Sequence, residues 1–340
     1  MLSIISCYDL TSKFHILELS QFTFFFMFQK CSGSPPFFLY LTRLCILLLS
    51  PTFLASQDKD QQFEFIVSND KFANQDRYFT SGLYLSYQKL LHKKFILPKT
   101  TENKLQFKLS IGDEIYSPTS ISSFDTKDFD RPFAGWLFGK MEVASIKERS
   151  ALFLALETGI TGEESLAGSL QTGLHEVFGI DSRPTWVEEI EFKWLVNIKL
   201  NHSTNWSVNN KNAFQYTIGS SLGTKDINLE NDLGYFFGKF NKLQHSARIG
   251  ALDETLSNEF FGFVAMGYKY VAHNTLIQGS LFKDDVLFTT AITHHVLKAR
   301  AGVVLKIKRN MFKVVYDFNT SETPLATAHV YGSLAYARTF

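Results

Sequence analysis

Beyond residue 57 no apolar run approaches the ~20 residues of a membrane-spanning helix. Instead, segments of about ten residues alternate apolar and polar side chains one after another. A period of two admits strands with two unlike faces and little else. In residues 104–113, Leu105, Phe107, Leu109 and Ile111 share a face. In 151–160, Phe153, Ala155, Glu157 and Gly159 oppose Leu152, Leu154, Leu156 and Thr158. The same pattern marks 63–68, 80–87, 133–143, 187–200, 214–222, 260–271, 274–282, 294–307, 311–319 and 328–340. With shorter candidates at 204–208 and 286–292, the count is about twelve. The 34 Phe and 13 Tyr, at a mean hydropathy of −0.03, suit sheets apolar on one side and polar on the other. The expected fold is all-β, an antiparallel transmembrane β-barrel of about twelve strands.

The end of the chain supports closure. Phe340, Arg338, Tyr336 and Leu334 form a mostly large face, against Thr339, Ala337, Ala335 and Ser333. A last strand ending on Phe resembles the assembly signal of bacterial outer-membrane barrels, and implies the barrel assembly machinery as a partner. The start of the chain differs in character. Arg43, an apolar run from Leu44 to Leu54, and Ala55-Ser56-Gln57 have the layout of the end of a secretory signal peptide. An N-terminal anchor is the alternative, and the apolar run is short for one. Residues 1–57 are therefore assigned to a leader and 58–340 to the barrel. All three cysteines, Cys7, Cys31 and Cys45, lie in the leader. The barrel region thus excludes disulfides, thiolate metal sites and cysteine nucleophiles. A formal net charge of +1 gives no electrostatic case for nucleic acid.

Two stretches interrupt the alternation. Between the strands at 63–68 and 80–87, Asn69, Asp70, Asn74, Asp76 and Arg77 crowd a polar turn. Later, Leu166, Leu170, Leu174, Val177 and Phe178 recur at three- and four-residue steps, which predicts a helix over 164–178. Gly179 is its expected stop. That helix carries His175, and packing it against one barrel mouth would bring His175 to the polar turn.

Three pieces in this order carry a resemblance. They are Asn69-Asp70 with Thr80-Ser81-Gly82; Tyr116-Ser117-Pro118 followed by Asp130-Arg131-Pro132-Phe133; and His175 followed by Asp181 and Pro184-Thr185-Trp186. Together they resemble the outer-membrane lipid A 3′-O-deacylase family, from about residue 63 to 186 and more loosely beyond. The resemblance implies a twelve-stranded barrel in the bacterial outer membrane, acting as a monomer on lipid A or lipopolysaccharide. It implies removal of an ester-linked acyl chain with Ca2+ as cofactor. By match to the family's motifs, His175, Asn69, Asp70 and Thr80 would be catalytic, and Asp70 and Asp181 would hold the metal. The family's lysine beyond the Tyr-Ser-Pro motif falls on Ser123 here, with Lys127 the nearest lysine.

The chemistry is coherent on its own terms. Ester hydrolysis needs an activated nucleophile and stabilisation of an oxyanion. A neutral histidine can deprotonate water near pH 7. Asp70 and Asn69 offer the hard oxygen ligands that calcium prefers. Gly219-Ser220-Ser221-Leu222-Gly223 has the Gly-x-Ser-x-Gly spacing, but it lies in an alternating strand segment and not at a strand-to-helix turn, so no serine nucleophile elbow is expected. His294 and His295 are expected at the barrel mouth or lining the lumen, and Asp284-Asp285 and 226–232 in solvated loops. Two alternatives stay open: a barrel of altered chemistry with a structural or lipid-binding role, and an outer-membrane phospholipase.

Overall fold

The computed structural model describes residues 59–340, except 181 and 283–287; the side chains of 177 and 178 are likewise outside the description. The leader assigned to 1–57 and the Asp284-Asp285 loop therefore lie outside the described residues. Twelve strands follow in order: β1 (Gln61–Asn69), β2 (Tyr78–Leu91), β3 (Lys104–Ser117), β4 (Ala134–Ile146), β5 (Ser150–Ile160), β6 (Trp194–Asn209), β7 (Asn212–Gly223), β8 (Asp226–Lys239), β9 (Glu259–Asn274), β10 (His295–Ile307), β11 (Asn310–Asn319) and β12 (His329–Thr339). Each pairs antiparallel with its neighbours in sequence, and β1 closes on β12 with Gln62 opposite Thr339 and Asn69 opposite Gly332. The ladder has no free edge.

Alternation sets what faces where. Phe63, Phe65, Leu109, Ile111, Leu156, Ile198 and Met266 stand exposed on the outer wall. Their neighbours turn inward and carry charge. Lys199 reaches Glu157 at 2.8 Å, Lys298 reaches Glu230 at 2.9 Å, and Lys108 pairs with Glu64. An apolar outside around a polar lumen inverts a soluble protein, and it is what lipid requires of a barrel. The small face of β12 points inward as expected. Ala337 is buried in a cluster with Phe236 and Phe261, and Ser333 hydrogen bonds Ser68 at 2.8 Å. No helix among the described residues is long and apolar enough to cross a membrane.

Several sequence expectations are corrected. Residues 226–232, read as a solvated loop, open β8. Asp226, Asn228, Glu230 and Asp232 recur at every second position and face a polar lumen, so charge there does not mean solvent. Residues 274–282, read as a strand, hold a short helix, Thr275–Gln278, capped by Asn274, whose side chain accepts the Leu276 N–H at 3.0 Å. Leu276 and Ile277 are both buried, which adjacent residues of a strand on a one-sided core cannot manage. The run at 187–200 begins as strand only at Trp194, and 204–208 continues that same β6. Of the candidate at 286–292, the described residues 288–292 form no strand.

The two ends of the barrel differ. At one end, β4–β5, β6–β7 and β10–β11 are joined by turns of two or three residues. The longer connections there are 92–103 and 240–258, and the second folds back into the lumen. Gln88 and Gln106 donate to the Gly250 carbonyl at 2.8 and 3.1 Å, and Lys104 donates to that of Leu252 at 2.8 Å. Arg248 donates to Asn205 at 2.7 Å, and Lys306 pairs with the fully buried Asp253 at 2.9 Å. Ala251 packs on Ala144, Ile146 and Ala151. Side chains from β2 to β6 and from β10 thus converge on one loop that fills this end. The opposite, loop-rich end carries 70–77, 118–133, 161–193 and 320–328.

Candidate active site

The polar turn between β1 and β2 is ordered by its own side chains. Asn69 accepts the Lys71 N–H at 2.7 Å, capping a short 3-10 turn, Asp70–Ala73. Asn74 ends that turn at φ 56°, a left-handed position that asparagine tolerates. Asp70 is fully buried, and its Oδ2 accepts the Arg77 N–H at 2.6 Å, tying the far end of the turn to the near one. Its Oδ1 has no hydrogen-bond partner. Burial pushes the Asp70 carboxyl up to about 8; the Arg77 amide opposes this, and the nearby Asp76 charge adds to it.

Asp76 is the part of this turn that meets the helix. Its Oδ2 pairs with Lys71 at 2.9 Å and accepts from Ser182 Oγ at 3.5 Å. Its Oδ1 is buried without a hydrogen-bond partner and lies 3.9 Å from His175 Nε2. His175 Nδ1 is 2.6 Å from the Ser182 carbonyl oxygen. A carbonyl only accepts, so Nδ1 carries the hydrogen, and in the neutral ring Nε2 presents its lone pair toward Asp76.

Helix α1 (Ala167–Phe178) brings His175 there. It ends as expected at Gly179, φ 64°, with the Ile180 N–H returning to the His175 carbonyl at 2.9 Å. Its buried stripe is Ala167, Gln171 and His175, at four-residue steps. The leucines expected to face the barrel lie beside that stripe: Leu166 is 56% exposed, and Leu170 and Leu174 are half-buried. The reason is polar. Gln171 accepts from Trp186 Nε1 at 2.9 Å and donates to Ser117 Oγ at 3.5 Å, so the hydrogen-bonding face turns inward.

Parity places this contact on the outer side of the wall. On β3, Glu114 and Tyr116 point into the lumen, so Ile115 and Ser117 point out. Gly135, opposite Ile115, also faces out, against Ser165 and Ala167. Thr80 sits at a bulge in β2 and hydrogen bonds Ser117 Oγ. The arrangement thus joins Asp76, Thr80, Ser117, Gln171 and His175 between the outer face of the wall and α1, with Asp70 in the turn that carries Asp76.

Of the residues singled out in the sequence, His175 and Thr80 reach this cleft through Asp76 and Ser117, and Asn69 serves as the cap that shapes the Asp70 turn. Asp181 lies outside the described residues. Ser123 points elsewhere, donating to Asp128 at 2.6 Å, and Lys127 is exposed. His294 and His295 sit at the loop-rich mouth, His294 bonded to the Val271 carbonyl at 2.7 Å. Asp76 and Ser117 were named in the turn and the Tyr-Ser-Pro motif but given no role, Gln171 and Ser182 were not named, and only cross-chain distances mark the four. Among the described residues no group of three or more His, Cys, Asp or Glu gathers as a metal cage.

Comparison with curated protein sequences gives no match. Among solved structures, LpxR from Salmonella typhimurium superposes with a TM-score of 0.68 at 18% identity, covering 82% of this chain and all of that one. The β domain of the Bordetella autotransporter BrkA follows at 0.43 and 9% identity, covering 83% of this chain and 99% of that one. The translocator domain of NalP from Neisseria meningitidis gives 0.39 at 9% identity, covering 90% and 96%. The first likeness supports the twelve-stranded fold. A family model described as outer membrane protein LpxR matches residues 41–340. A closed antiparallel barrel with an apolar outer wall, matched over that span, belongs to the LpxR family of outer membrane proteins.

Proposed function

We propose that the chain hydrolyses an ester-linked acyl chain of lipid A in the outer leaflet, with His175 as the base. The observation that carries this reading is the His175–Asp76 gap. Nε2 and Oδ1 are both acceptors, and 3.9 Å is too long for a direct hydrogen bond. A water about 2.8 Å from each bridges them. Such a water donates one hydrogen to Nε2 and the other to Asp76. As it attacks the ester carbonyl carbon, His175 takes its proton and returns it to the departing sugar oxygen, giving a fatty acid and a free hydroxyl.

Thr80 and Ser117 fit the electrophilic side. With Ser117 donating to Thr80, the Thr80 hydroxyl hydrogen is held only by a long 3.5 Å contact to the Tyr78 carbonyl and can turn to the ester carbonyl oxygen instead. Leu166, Leu170 and Leu174 flank the cleft with apolar surface suited to an acyl chain. Short turns at the plugged end put the loop-rich end outside the cell, which sets the cleft at the level of the outer leaflet.

The residues present also fit calcium. Asp70 Oδ1 is buried without a hydrogen-bond partner, and an uncompensated Asp70 holds its proton to about 8. A cation is the partner this oxygen lacks, with Asp181, backbone carbonyls and water as further ligands. When bound, calcium supplies Lewis-acid stabilisation of charge on the ester carbonyl oxygen. We take the chain to act as a monomer, exported by its 1–57 leader and inserted by the barrel assembly machinery.

The test is lipid A deacylation in detergent micelles, read by mass spectrometry across a calcium titration. His175→Ala should lose activity on the order of 10²–10⁴-fold. Full activity in that variant, or indifference of the parent to chelation, sinks the mechanism. The position of Ser123, bonded to Asp128 where the family has a lysine, favours altered chemistry as the second reading. Unchanged lipid A in cells making the protein would support it, and lysophospholipid would point to a phospholipase.

A further inference from the structure

We propose that the barrel carries a second binding site, in the outer half of its lumen, for an anionic saccharide bearing carboxylate or phosphate groups. This site is separate from the cleft under α1. Phe79 and Tyr116 line the lumen, while their sequence neighbours Thr80 and Ser117 serve the outer wall.

The lumen holds a partly open cavity of about 420 Å³ at the loop-rich end, with loop 320–328 along its rim. Five Lys and Arg side chains and three Glu line it, and Lys199, Lys298 and Arg300 are paired with Glu157, Glu230 and Asp317. Most of the cations are matched to carboxylates, but two are not fully used. Arg131 is 2% exposed, stacks on the Tyr116 ring at 4.6 Å and reaches Glu322 at 3.4 Å, yet its Nε–H has no hydrogen-bond partner. Lys269 projects into the same cavity with no ion pair among the described residues. A buried donor without a partner costs about 1–3 kcal/mol, and an acceptor supplied by a ligand removes that cost.

Tyrosine and phenylalanine rings make up much of the rest of the wall, flat apolar surfaces of the kind that pack on sugar rings. The cavity offers binding and no evident chemistry. His329, its imidazole, is engaged by Gln75 Oε1 at 3.0 Å and the Phe79 carbonyl at 3.3 Å. The plug at 240–258 fills the other end of the lumen, so an occupant enters and leaves by the outer mouth. A blind, cationic, aromatic vestibule opening outward suits an acidic sugar. Two sources share that chemistry, a free sugar phosphate and the saccharide of an outer-leaflet glycolipid.

Isothermal titration of the full barrel in detergent tests the site with three probes: glucose 1-phosphate, lipid-free lipopolysaccharide saccharide, and glucose. Saturable binding of either anionic probe, with none of glucose, is expected. Binding of glucose 1-phosphate assigns a free sugar phosphate as a sufficient ligand; binding of the larger saccharide alone assigns the glycolipid. Lys269→Gln should weaken binding roughly 10-fold or more. Arg131→Gln should do the same where the barrel stays heat-modifiable on gels, and Lys269→Gln decides if it does not. His175→Ala should bind as the parent does, so failure of the proposed esterase mechanism leaves this test intact. No saturable binding of either anionic probe, equal binding by Lys269→Gln, or binding of glucose at parent affinity would overturn the site.

Discussion

Gly135 is where the wall and α1 come closest. A Cβ there would lie 2.0 Å from Ser165 Oγ and 2.5 Å from Ala167 Cβ. The serine hydroxyl can rotate away. The Ala167 methyl is fixed to the first turn of the helix, and contact between carbons requires ~3.5 Å. Gly135→Ala therefore lifts α1 by about 1 Å. His175 is eight residues on, about 12 Å along the axis, so the helix carries the displacement to the imidazole proposed as the base. The 3.9 Å gap to Asp76 then widens and the bridging water loses one of its two partners. Misplacement of about 1 Å costs on the order of 10²-fold in rate. Micellar lipid A deacylation under saturating substrate reads this as a fall in kcat, with heat-modifiable migration showing the barrel intact. Gly135→Ala with Ala167→Gly removes the colliding methyl and should recover most of the loss, at about 1 kcal/mol of helix propensity. Parent-level kcat in the single variant, or no recovery in the double, refutes the claim that this contact positions His175.

In chelator, stability should fall as pH rises from about 4 toward 8. Asp70 keeps its proton to about 8 when folded but loses it near 3.8 when unfolded, so the folded state binds the extra proton across that window, worth on the order of 5 kcal/mol in full. Asp70→Asn should flatten urea midpoints over this range; a slope that survives in the variant assigns it elsewhere. In the plug the sign reverses. Burial alone would raise Asp253, but hydrogen bonds from Thr255 and Lys306 and the Lys306 charge hold it at about 2, so its stabilisation is present above about pH 4 and lost as pH falls toward 2. Asp253→Ala strands Lys306 in a buried setting and should cost about 3–5 kcal/mol and open the lumen to ions; parent-like bilayer conductance and urea stability would count against the plug. Ser123→Lys should leave deacylation unchanged or raise it, and a fall of tenfold or more would show that the Ser123–Asp128 bond matters to the loop.

Alternation exposed most of the barrel because lipid and lumen impose opposite demands on neighbouring residues. It failed at β8 because the inward Asp226, Asn228, Glu230 and Asp232 look like a solvated run when the lumen is not known to be polar. It failed at 274–282 because four residues of helix, capped by Asn274, are too few to show a helical period. The site was partly legible. His175 and the 70–77 turn stood out as polar residues with no strand face to serve. Asp76 did not, since a turn acid is ordinary until a helix from far along the chain lands beside it. The helix stripe misled for a related reason: leucines at helical spacing suggest packing, but the groups that need burial against the wall are Gln171 and His175, whose hydrogen bonds are made there.

The position of α1 outside the wall has a kinetic consequence. A cleft that opens to the side of the barrel meets the proposed lipid A substrate by lateral diffusion within one leaflet, not from bulk solution. On that reading the governing concentration is the mole fraction of lipid A at the surface. Diluting the micelles leaves the rate unchanged, whereas adding inert detergent at constant lipid A lowers it. In a cell, crowding and ordering of the leaflet around the barrel become rate controls that no change in the active-site residues would reveal.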